Sequence, residues 1–275
     1  MIKKMPELPE VEVTIRNLKQ KITNVRIQKI KIFHPPSFQS SHNLDNIQQK
    51  TFLDIQRKGK FLLFFLEYDW VIIGHLRMEG KIYIHSPQEC NTIHKYENFR
   101  IFLNNNKILR YYDFRKFGRF SLHKKDKYLE ESGLNKLALD PFSIINENFF
   151  QQIKKKKIAI KKILLDQKII SGIGNIYASE ILFLSKIHPE KLANSLILKQ
   201  TKIIISKAKE VLQKAIDYGG TSISSFEALG IKGLFQKKLL VYKRDKLNCF
   251  ICQNKIENKK IGGRSSYFCS QCQKL

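Results

Sequence analysis

Met5-Pro6-Glu7-Leu8-Pro9-Glu10-Val11-Glu12 is the stretch that decides how the chain begins to fold. Prolines are tolerated in the first turn of a helix and acidic residues are favoured there, so the octapeptide predicts a helix start. If Met5 is removed as an initiator, Pro6 also carries a free secondary amine beside the Glu7 carboxylate. Such an α-amino group has a pKa of about 8, against about 10.4 for lysine, so much more of it is unprotonated at neutral pH. The octapeptide alone leaves both interpretations open.

Helical, then extended, then helical patterns follow this stretch along the chain. Apolar residues spaced three and four apart from Leu8 to Ile22 predict one buried helix face. Gly59, Gly80 and Gly118 interrupt the extended patterns that come next. Several short strands at close spacing favour a β-sandwich or barrel. The predicted strands are Val25–Ile32, Phe61–Leu66, Val71–Leu76, Lys81–His85, Phe99–Leu103, Ile108–Tyr112 and Arg119–Leu122.

The domain organisation is predicted from where these patterns change. Residues 132–147 are interpreted as a linker after an N-terminal domain at 1–131. A helical domain follows at 148–232, and a basic section with four cysteines occupies 233–275. The predicted helices of the second domain are Phe149–Lys156, Ile158–Asp166, Ile176–Leu184 and Leu196–Tyr218. The predicted fold class is therefore an α+β multidomain protein.

The charge of the chain points to a polyanionic partner. Fifty Lys and Arg residues against 24 Asp and Glu residues give a formal net charge of +26. That charge is larger than solubility requires, and it favours binding to nucleic acid. The most apolar run, Phe61–Leu66, is too short to span a membrane, and no signal peptide is recognisable. A soluble intracellular protein with no membrane partner is the expectation.

Four of the five cysteines are clustered near the C-terminal end as Cys249-x2-Cys252-x16-Cys269-x2-Cys272. This spacing is typical of two metal-binding knuckles, and four thiolates suit one structural Zn²⁺ ion. Gly262-Gly263 lies between the knuckles, which places Arg264 at the predicted hairpin tip, either as a phosphate contact or as a solvated residue. Cys90 is interpreted as a structural or surface thiol.

Three further segments carry basic or glycine-rich patterns. Ser171–Ala178 (SGIGNIYA) lies between two helical patterns, near Lys154–Lys157, Lys161 and Lys162, and is a candidate phosphate cradle or a plain turn. Residues 57–60 (RKGK) are placed just before an apolar strand. Residues 113–118 (DFRKFG) mix cations and rings in a loop, which suits phosphate contact and wedging between bases. Phe117 and Met78, taken alone, are more typical of core residues than of wedges.

With these motifs in order, the chain from Met5 to its end resembles the bacterial formamidopyrimidine-DNA glycosylases. The segments that carry the resemblance are PELPEVE at 6–12, RKGKFL at 57–62, GHLRMEG at 74–80, RYYDFRKFG at 110–118, LLDQKIISGIGNIYASEILF at 164–183, GGTSISSF at 219–226 and the C-terminal cysteine hairpin. The resemblance implies an N-terminal β-sandwich with a leading helix, a helix–two-turns–helix motif in the helical domain, and a zinc β-hairpin.

The same resemblance implies a base-excision repair enzyme that removes 8-oxoguanine and formamidopyrimidines and then nicks the strand by β,δ-elimination. Its implied substrate is double-stranded DNA containing oxidised purines or abasic sites, acted on by a monomer in the bacterial cytoplasm. Pro6 resembles the nucleophile that forms a Schiff base with the sugar, and Glu7 the acid that protonates the sugar ring oxygen. Lys60 resembles the proton donor of β-elimination, and Arg264 that of δ-elimination.

The implied DNA contacts come from both domains. Met78, Arg115 and Phe117 resemble the trio that fills the space left by an extruded nucleotide and faces the orphaned base. Extrusion is required because the anomeric carbon is inaccessible inside a stacked duplex. Asn175 and Lys156 resemble phosphate contacts.

The chain departs from the family pattern at three places. Met1–Lys4 precede the usual start and would place Pro6 in a peptide bond, so we expect the working protein to start at Met5 and to lose that residue. Tyr96 occupies the position of a DNA-contacting histidine and is carried over as a contact of that kind. Phe114 and Lys116 replace a proline and an arginine of the common motif, while Arg115 and Phe117 keep their spacing.

Two other functions remain as alternatives at this point. An endonuclease VIII-like enzyme would act on oxidised pyrimidines, but such enzymes typically open Pro-Glu-Gly-Pro-Glu and lack the Arg-x-Phe wedge, whereas this chain has Leu8 and Phe117. A non-catalytic nucleic-acid-binding protein with a zinc hairpin would keep the scaffold without the reaction. The loop after Gly220 varies within the family, so preference among oxidised purines does not follow from the sequence.

Overall fold

The structure is a computed structural model that describes residues 5–90, 93–222, 229–230 and 232–275. The expectations for Met1–Lys4, for the side chain of Cys90 and for residues 223–228 of the loop after Gly220 lie outside the described residues. Contacts group the chain into two compact units. The first contains residues 1–135 and 218–234, and the second contains residues 136–217 and 235–275.

The first unit begins with helix α1 (Leu8–Ile22) and continues into two four-stranded antiparallel sheets. Its strands are β1 (Ile27–Ile32), β2 (Phe52–Lys58), β3 (Phe61–Leu66), β4 (Trp70–His75), β5 (Lys81–His85), β6 (Glu97–Leu103), β7 (Ile108–Tyr112) and β8 (Arg119–Lys124). One sheet has the order β1-β6-β7-β5 and the other β2-β3-β4-β8. A short helix, α2 (Tyr128–Glu131), follows β8.

Aromatic side chains join the two sheets face to face. The ring of Phe120 in β8 lies 4.9 Å from that of Phe99 in β6 and 4.7 Å from that of Tyr111 in β7. Helix α1 contacts β2 and β3 through its apolar stripe, in which Leu8, Val11, Leu18 and Ile22 are fully buried. The β-sandwich with a leading helix is confirmed, because one sheet face and one helix stripe each need an apolar partner.

Strand β2 was missed by the sequence analysis, and its presence changes the position of the basic segment that follows. Charged and polar side chains alternate irregularly with Phe52 and Ile55 along β2, which obscures the period of two. Arg57 and Lys58 belong to β2 itself, and residues 59–60 form the turn into β3. Gly59 supplies the left-handed backbone of this turn, with a φ of +56°.

The observed units differ from the predicted division of the chain at two places. Residues 218–232, assigned from sequence to the helical domain, belong to the first unit. The cause is a set of long-range hydrogen bonds, such as those from Thr221 to Glu10.

Residues 233–275 were assigned to a separate section, but Phe235–Leu275 packs with the helices. Buried Glu180 accepts three backbone N–H groups of residues 240–242 there.

The second unit combines helices with a C-terminal hairpin. Its helices are α3 (Asn146–Lys154), α4 (Ile160–Leu165), α5 (Asn175–Leu184) and α6 (Leu198–Asp217), and its strands are β9 (Glu257–Ile261) and β10 (Arg264–Phe268). Residues 176–183 of α5 are all buried, which explains why this helix is apolar on every side. Helix α6 buries one stripe and exposes its lysines.

Candidate functional site

Pro6 and Glu7 lie buried at the N-terminal end of α1. Glu7 is the N-cap of the helix and is 4% exposed, while Glu10 is 1% exposed. The backbone N–H of Glu7 donates to Glu10 Oε2 at 2.9 Å, and the Glu7 side chain accepts in return from the backbone of Glu10. This reciprocal capping box satisfies two backbone donors that the helix end would otherwise leave unpaired. It also fixes the backbone on which Pro6 is carried.

Glu10 has a second set of partners, which the sequence analysis missed. Its Oε1 accepts hydrogen bonds from the backbone N–H of Thr221 at 2.7 Å and from the Thr221 hydroxyl at 2.9 Å. A Cβ atom at Gly220 would lie 3.0 Å from this oxygen, and Gly220 has a φ of +80°. Only glycine combines that backbone with that close approach. The Gly219-Gly220 pair, read from sequence as a helix stop, therefore also brings Thr221 to the head of α1.

Lys60 lies in the turn between β2 and β3 and is 5% exposed. The hairpin that carries it is joined to α1 by Arg57, whose Nε lies 2.9 Å from Glu12 Oε2. Burial opposes ionisation of Glu12, but the hydrogen bonds from Arg57 and Arg16 outweigh it and lower the pKa of this carboxyl. The RKGK and PELPEVE motifs, 45 residues apart, are thus directly connected through Arg57 and Glu12.

His75 lies near Lys60 and was not assigned a role from sequence. Burial, together with the positive charges of Arg77 and Lys60, lowers the pKa of His75 to about 3. Its Nδ1 accepts a hydrogen bond from the Arg77 backbone at 3.0 Å, and its ring meets that of Phe61 edge-on at 4.5 Å. His75 is therefore a neutral imidazole at physiological pH.

The loop of residues 113–118 is held in shape by Asp113, which is 1% exposed. Its Oδ1 accepts from the backbone N–H of Arg115 at 3.0 Å, and its Oδ2 accepts from that of Gly118 at 2.7 Å. A Cβ atom at Gly118 would lie 1.7 Å from the hydroxyl oxygen of Tyr111, so this position requires glycine. The predicted loop is present, and Asp113 determines its conformation.

Met78, Arg115 and Phe117 come together in the structure. Arg115 Nη1 lies 2.9 Å from Met78 Sδ, and its guanidinium lies 4.4 Å from the centre of the Phe117 ring. Phe117 is 46% exposed, so it is not a core residue. Met78 is half-buried. A half-exposed ring beside a cation is suited to contact bases and phosphates.

Tyr96 lies next to this loop. Its backbone carbonyl accepts from the Asp113 N–H at 2.9 Å, and its ring meets that of Phe114 edge-on at 4.7 Å. Lys95 lies 4.8 Å from the Tyr96 ring centre. The structure thus places the residue that replaces the family's histidine beside the loop of Arg115 and Phe117.

In the second unit, Asn175 is the first residue of α5, with Gly174 as its N-cap. Gln167 holds the turn before the helix, accepting from the Gly172 N–H and donating to the Ile173 carbonyl, both at 2.9 Å. Asn175 Nδ2 donates to the carbonyl of Ser265 at 2.9 Å. The glycine turn therefore adjoins the C-terminal hairpin through Asn175.

Lys161 was expected to belong to the basic cluster around this turn, but the structure shows otherwise. Its side chain is fully buried, and its Nζ lies 2.9 Å from Ser179 Oγ and 3.4 Å from the Ser265 carbonyl. A buried ammonium requires such partners, and one bonded in this way is not available to phosphate. The exposed lysines in the expected group include Lys156, which lies between α3 and α4.

Arg264 begins β10 directly after the Gly262-Gly263 turn and is exposed, as the hairpin prediction requires. Gly262 packs closely on Lys162, because a Cβ atom there would lie 2.9 Å from Lys162 Cε. Its φ of +56° is also left-handed. Close packing on Lys162 and the bonds to the Ser265 carbonyl position the turn that presents Arg264.

The four C-terminal cysteines converge on one point. The sulfur atoms of Cys249, Cys252, Cys269 and Cys272 all lie within 4.8 Å of one another. Cys249 Sγ is 3.9 Å from Cys272 Sγ, and Cys252 Sγ is 3.4 Å from Cys269 Sγ. Four thiols at these separations surround a position for one metal ion.

Comparison with known proteins identifies the family. Residues 5–120 match the model of the formamidopyrimidine-DNA glycosylase N-terminal domain, and residues 137–227 match that of the formamidopyrimidine-DNA glycosylase H2TH domain. The chain belongs to the formamidopyrimidine-DNA glycosylase family. Membership makes it a DNA glycosylase of base-excision repair, and it confirms the resemblance found from the sequence motifs.

Relatives cover nearly the whole chain. The formamidopyrimidine-DNA glycosylase of Mycoplasma mobile is 41% identical over an alignment 275 positions long, which covers 98% of this chain and all of the relative. That of Ligilactobacillus salivarius is 38% identical, over 98% of this chain and 99% of the relative.

Solved structures of the family show the same fold. The Lactococcus lactis enzyme bound to DNA containing an abasic site superposes with a TM-score of 0.90 at 34% identity. The same enzyme bound to DNA containing Fapy-dG also gives 0.90 at 34% identity. Each comparison covers 98% of this chain and the whole of the other. Within the described part of this family member, no helix has both the length and the apolar character to cross a membrane.

Proposed function

We propose that this chain excises oxidised purines, 8-oxoguanine and formamidopyrimidines, from double-stranded DNA and then nicks the strand at the resulting site. The observation that carries the proposal is the buried N-terminal end of α1. There Glu10 accepts a hydrogen bond from the backbone N–H of Glu7, and Pro6 directly precedes Glu7. The DNA complexes of the Lactococcus lactis enzyme, one with an abasic site and one with Fapy-dG, support this substrate class.

Pro6 and Glu7 are the proposed nucleophile and acid of base release. The amine of Pro6 forms a bond to C1′ of the damaged nucleotide while the bond to the base breaks, and the proton that the amine loses goes to the departing base. Glu7 gives a proton to the ring oxygen, the sugar ring opens, and a charged iminium remains on Pro6. A secondary amine can form only a charged iminium, which then acts as an electron sink for breaking the neighbouring bonds.

Lys60 and Arg264 are the proposed proton donors of the two eliminations that nick the strand. Lys60 is assigned to β-elimination, in which the bond to the 3′ phosphate breaks. Its position supports the assignment, because the turn that carries it is tied to α1 through Arg57 and Glu12. Arg264 is assigned to δ-elimination, in which the bond to the 5′ phosphate breaks, and its exposed position at a glycine turn supports that role.

The proposed reaction requires that Pro6 be the first residue of the working protein. An amide nitrogen is conjugated with its carbonyl and has no basic lone pair, so Pro6 cannot attack while Met5 is attached. We therefore propose that the active form has lost Met1–Met5. The family model supports this, since its match begins at residue 5.

Met78, Arg115 and Phe117 are proposed to fill the space that an extruded nucleotide leaves in the duplex. Arg115 already contacts both Met78 and Phe117, and Phe117 presents an exposed ring. Tyr96, beside the same loop, is proposed as a DNA contact. Unstacking a base costs a few kcal/mol. Stacking of a neighbouring base on the Phe117 ring would offset part of this cost, since a base–aromatic stack is worth about 1–3 kcal/mol.

Phosphate contacts are proposed for Asn175 and Lys156 in the second unit. One N–H of the Asn175 amide is bonded to Ser265, and the amide carries two such donors. Lys156 is exposed and belongs to a run of four lysines at 154–157. A net charge of +26 supports a strong, salt-dependent attraction to the DNA backbone.

The metal proposed for the four-cysteine cluster is one structural Zn²⁺ ion. All four ligands are thiols, the set typical of closed structural zinc sites, and no open coordination position is needed. Cys249 and Cys272 would approach the ion from the two knuckles that frame β9 and β10. The ion would stabilise the hairpin and so the position of Arg264.

Borohydride trapping on duplexes that contain one lesion tests this function. The processed protein should form a covalent complex with DNA carrying 8-oxoguanine opposite cytosine, and far less with DNA carrying thymine glycol. A Pro6→Ala variant keeps a primary amine at this position, so the matched control is a protein whose Pro6 nitrogen has been acetylated. Preferential trapping on thymine glycol would favour the endonuclease VIII-like alternative. Binding without trapping on any lesion would favour a non-catalytic protein.

A further inference from the structure

A cavity of about 380 Å³ lies on the outer face of the β1-β6-β7-β5 sheet, and Tyr96 is the one lining residue to which the proposed function gives a role. Its size falls within the range of about 300–1,000 Å³ found for small-molecule sites. The rings that line it are those of Tyr83, His85, His94, Tyr96, Tyr112 and Phe114.

These rings form a continuous wall rather than separate surface residues. Tyr83 meets Tyr112 edge-on at 5.4 Å, and His94 meets Tyr112 at 5.6 Å and Tyr96 at 5.3 Å. The wall continues to Phe114, which begins the loop that carries Arg115 and Phe117. Ring walls of this kind accept planar heteroaromatic groups by stacking and edge contacts.

The polar groups at the cavity also match such a ligand. Burial and the nearby charge of Arg110 lower the pKa of His85, so its imidazole is neutral and adds no charge to the cavity wall. Lys81 and Glu79 also line the cavity. A base edge presents the complementary donors and acceptors.

The charge behind the wall favours an anion. Buried Glu97 accepts from Arg100 Nη2 at 2.9 Å and from Arg110 Nε at 2.7 Å, so two cations share one carboxylate. The guanidinium of Arg110 lies 5.1 Å from the centre of the Tyr112 ring that faces the cavity. An aromatic group that carries a phosphate can both stack on the rings and be attracted by this positive charge, whereas an acidic peptide would use only the charge.

We infer that this cavity is a nucleotide-binding subsite, which takes an unstacked nucleotide of a DNA strand next to the loop of Arg115 and Phe117. The inference rests on the proposed function only in taking DNA as the source of the nucleotide. An unpaired base fits the cavity because its faces are exposed, whereas stacking covers both faces of a base inside a duplex.

The subsite is tested with undamaged oligonucleotides that carry 2-aminopurine, whose fluorescence reports stacking. A single-stranded oligonucleotide should be quenched on binding, and Tyr83→Ala should weaken this binding about five- to hundredfold, as expected for loss of one base–aromatic stack. Tyr83→Phe keeps the ring and should restore binding. Tyr68→Ala removes a tyrosine that is 71% exposed on the β3–β4 turn and is the matched control. Urea unfolding of each variant checks that the fold is intact.

Two further arms identify the source of the ligand. If millimolar dGMP competes with the oligonucleotide, the cavity recognises a free nucleotide. If dGMP does not compete but the oligonucleotide is still quenched, recognition needs the DNA strand. Both results support the subsite. Equal binding of wild type and a folded Tyr83→Ala variant would overturn the inference. Because these oligonucleotides carry no lesion, the outcome is independent of borohydride trapping, which tests the proposed reaction.

Discussion

Glu10 Oε1 accepts hydrogen bonds from both the backbone N–H and the hydroxyl of Thr221, at 2.7 and 2.9 Å, although 211 residues separate the two in sequence. The other carboxylate oxygen of Glu10 holds the backbone of Glu7. One buried carboxylate therefore connects the head of α1, where the proposed chemistry takes place, with the start of the segment that returns from the helices.

Glu10→Gln should destabilise the first unit. The substitution replaces a charged acceptor by a neutral amide, which keeps one accepting oxygen but turns an NH2 group, a donor only, toward either Glu7 or Thr221. Hydrogen bonds to charged groups contribute about 1.5–3 kcal/mol each, so we expect a loss of that order in the free energy of unfolding in urea. The control is Glu210→Gln on α6, whose carboxylate pairs with Lys207 and Lys214 at the surface, where each pair is worth at most about 1 kcal/mol. Equal losses for both variants would contradict this role of Glu10.

Glu7→Gln should separate base release from the later steps. The variant keeps the shape of the side chain but has no proton to give, so excision of 8-oxoguanine should fall about a hundred- to ten-thousandfold, the usual contribution of a general acid. Trapping on a preformed abasic site should persist, because the sugar there is already open to Pro6. Single-turnover rates on the two substrates make the comparison. Excision at the parental rate would show that Glu7 is not the acid.

Phe117→Ala should slow the reaction only where a base must be unstacked. The ring contacts Arg115 and is half-exposed, so its loss should not disturb the core. We expect a lower rate on duplex 8-oxoguanine and a much smaller effect on an abasic site, since extrusion there costs less. Tyr68→Ala, which removes an exposed ring on the β3–β4 turn outside the proposed wedge, is the control. An equal loss on both substrates would assign Phe117 a structural role.

Cys249→Ala should remove the metal and weaken DNA binding. Structural zinc contributes on the order of 10 kcal/mol of folding free energy in small zinc domains, and the four thiols flank the hairpin that presents Arg264 on both sides. We expect the loss of about one equivalent of zinc by elemental analysis and a steep fall in duplex affinity. Ser270→Ala is the control, because it changes an exposed residue next to Cys269 that is not one of the four thiols. Full zinc content with unchanged affinity would refute the assignment.

Removal of the first five residues should be required for trapping. A protein that begins at Pro6 should form a borohydride-stable complex with lesion DNA, whereas one that retains Met1–Met5 should bind the same DNA without trapping. The physical reason is that the Pro6 nitrogen is an amide in the longer form. A mass spectrum of the N-terminal peptide identifies which form is present. Equal trapping by an intact long form would point to a lysine, such as Lys60, as the nucleophile.

The sequence alone was sufficient for the features that depend on short segments. The start of α1, the hairpin turn before Arg264 and the four-cysteine spacing are each encoded within a few residues by proline, glycine, acid or thiol positions. These signals are local because capping, left-handed turns and knuckle geometry involve neighbouring residues. Strand β2 escaped detection because its polar and apolar residues do not alternate regularly.

Only the tertiary structure decided which distant residues meet. It joined Glu10 to Thr221 and Arg57 to Glu12, brought Met78 to Arg115, and buried Lys161, which its sequence neighbours suggested was exposed. Each of these contacts depends on how sheets and helices pack across tens or hundreds of residues. Packing is set by the summed burial of many side chains, so no single segment carries the information. The sequence by itself determined which functional side chains are present and which local turns they lie in, and the tertiary packing determined which of these side chains contact one another.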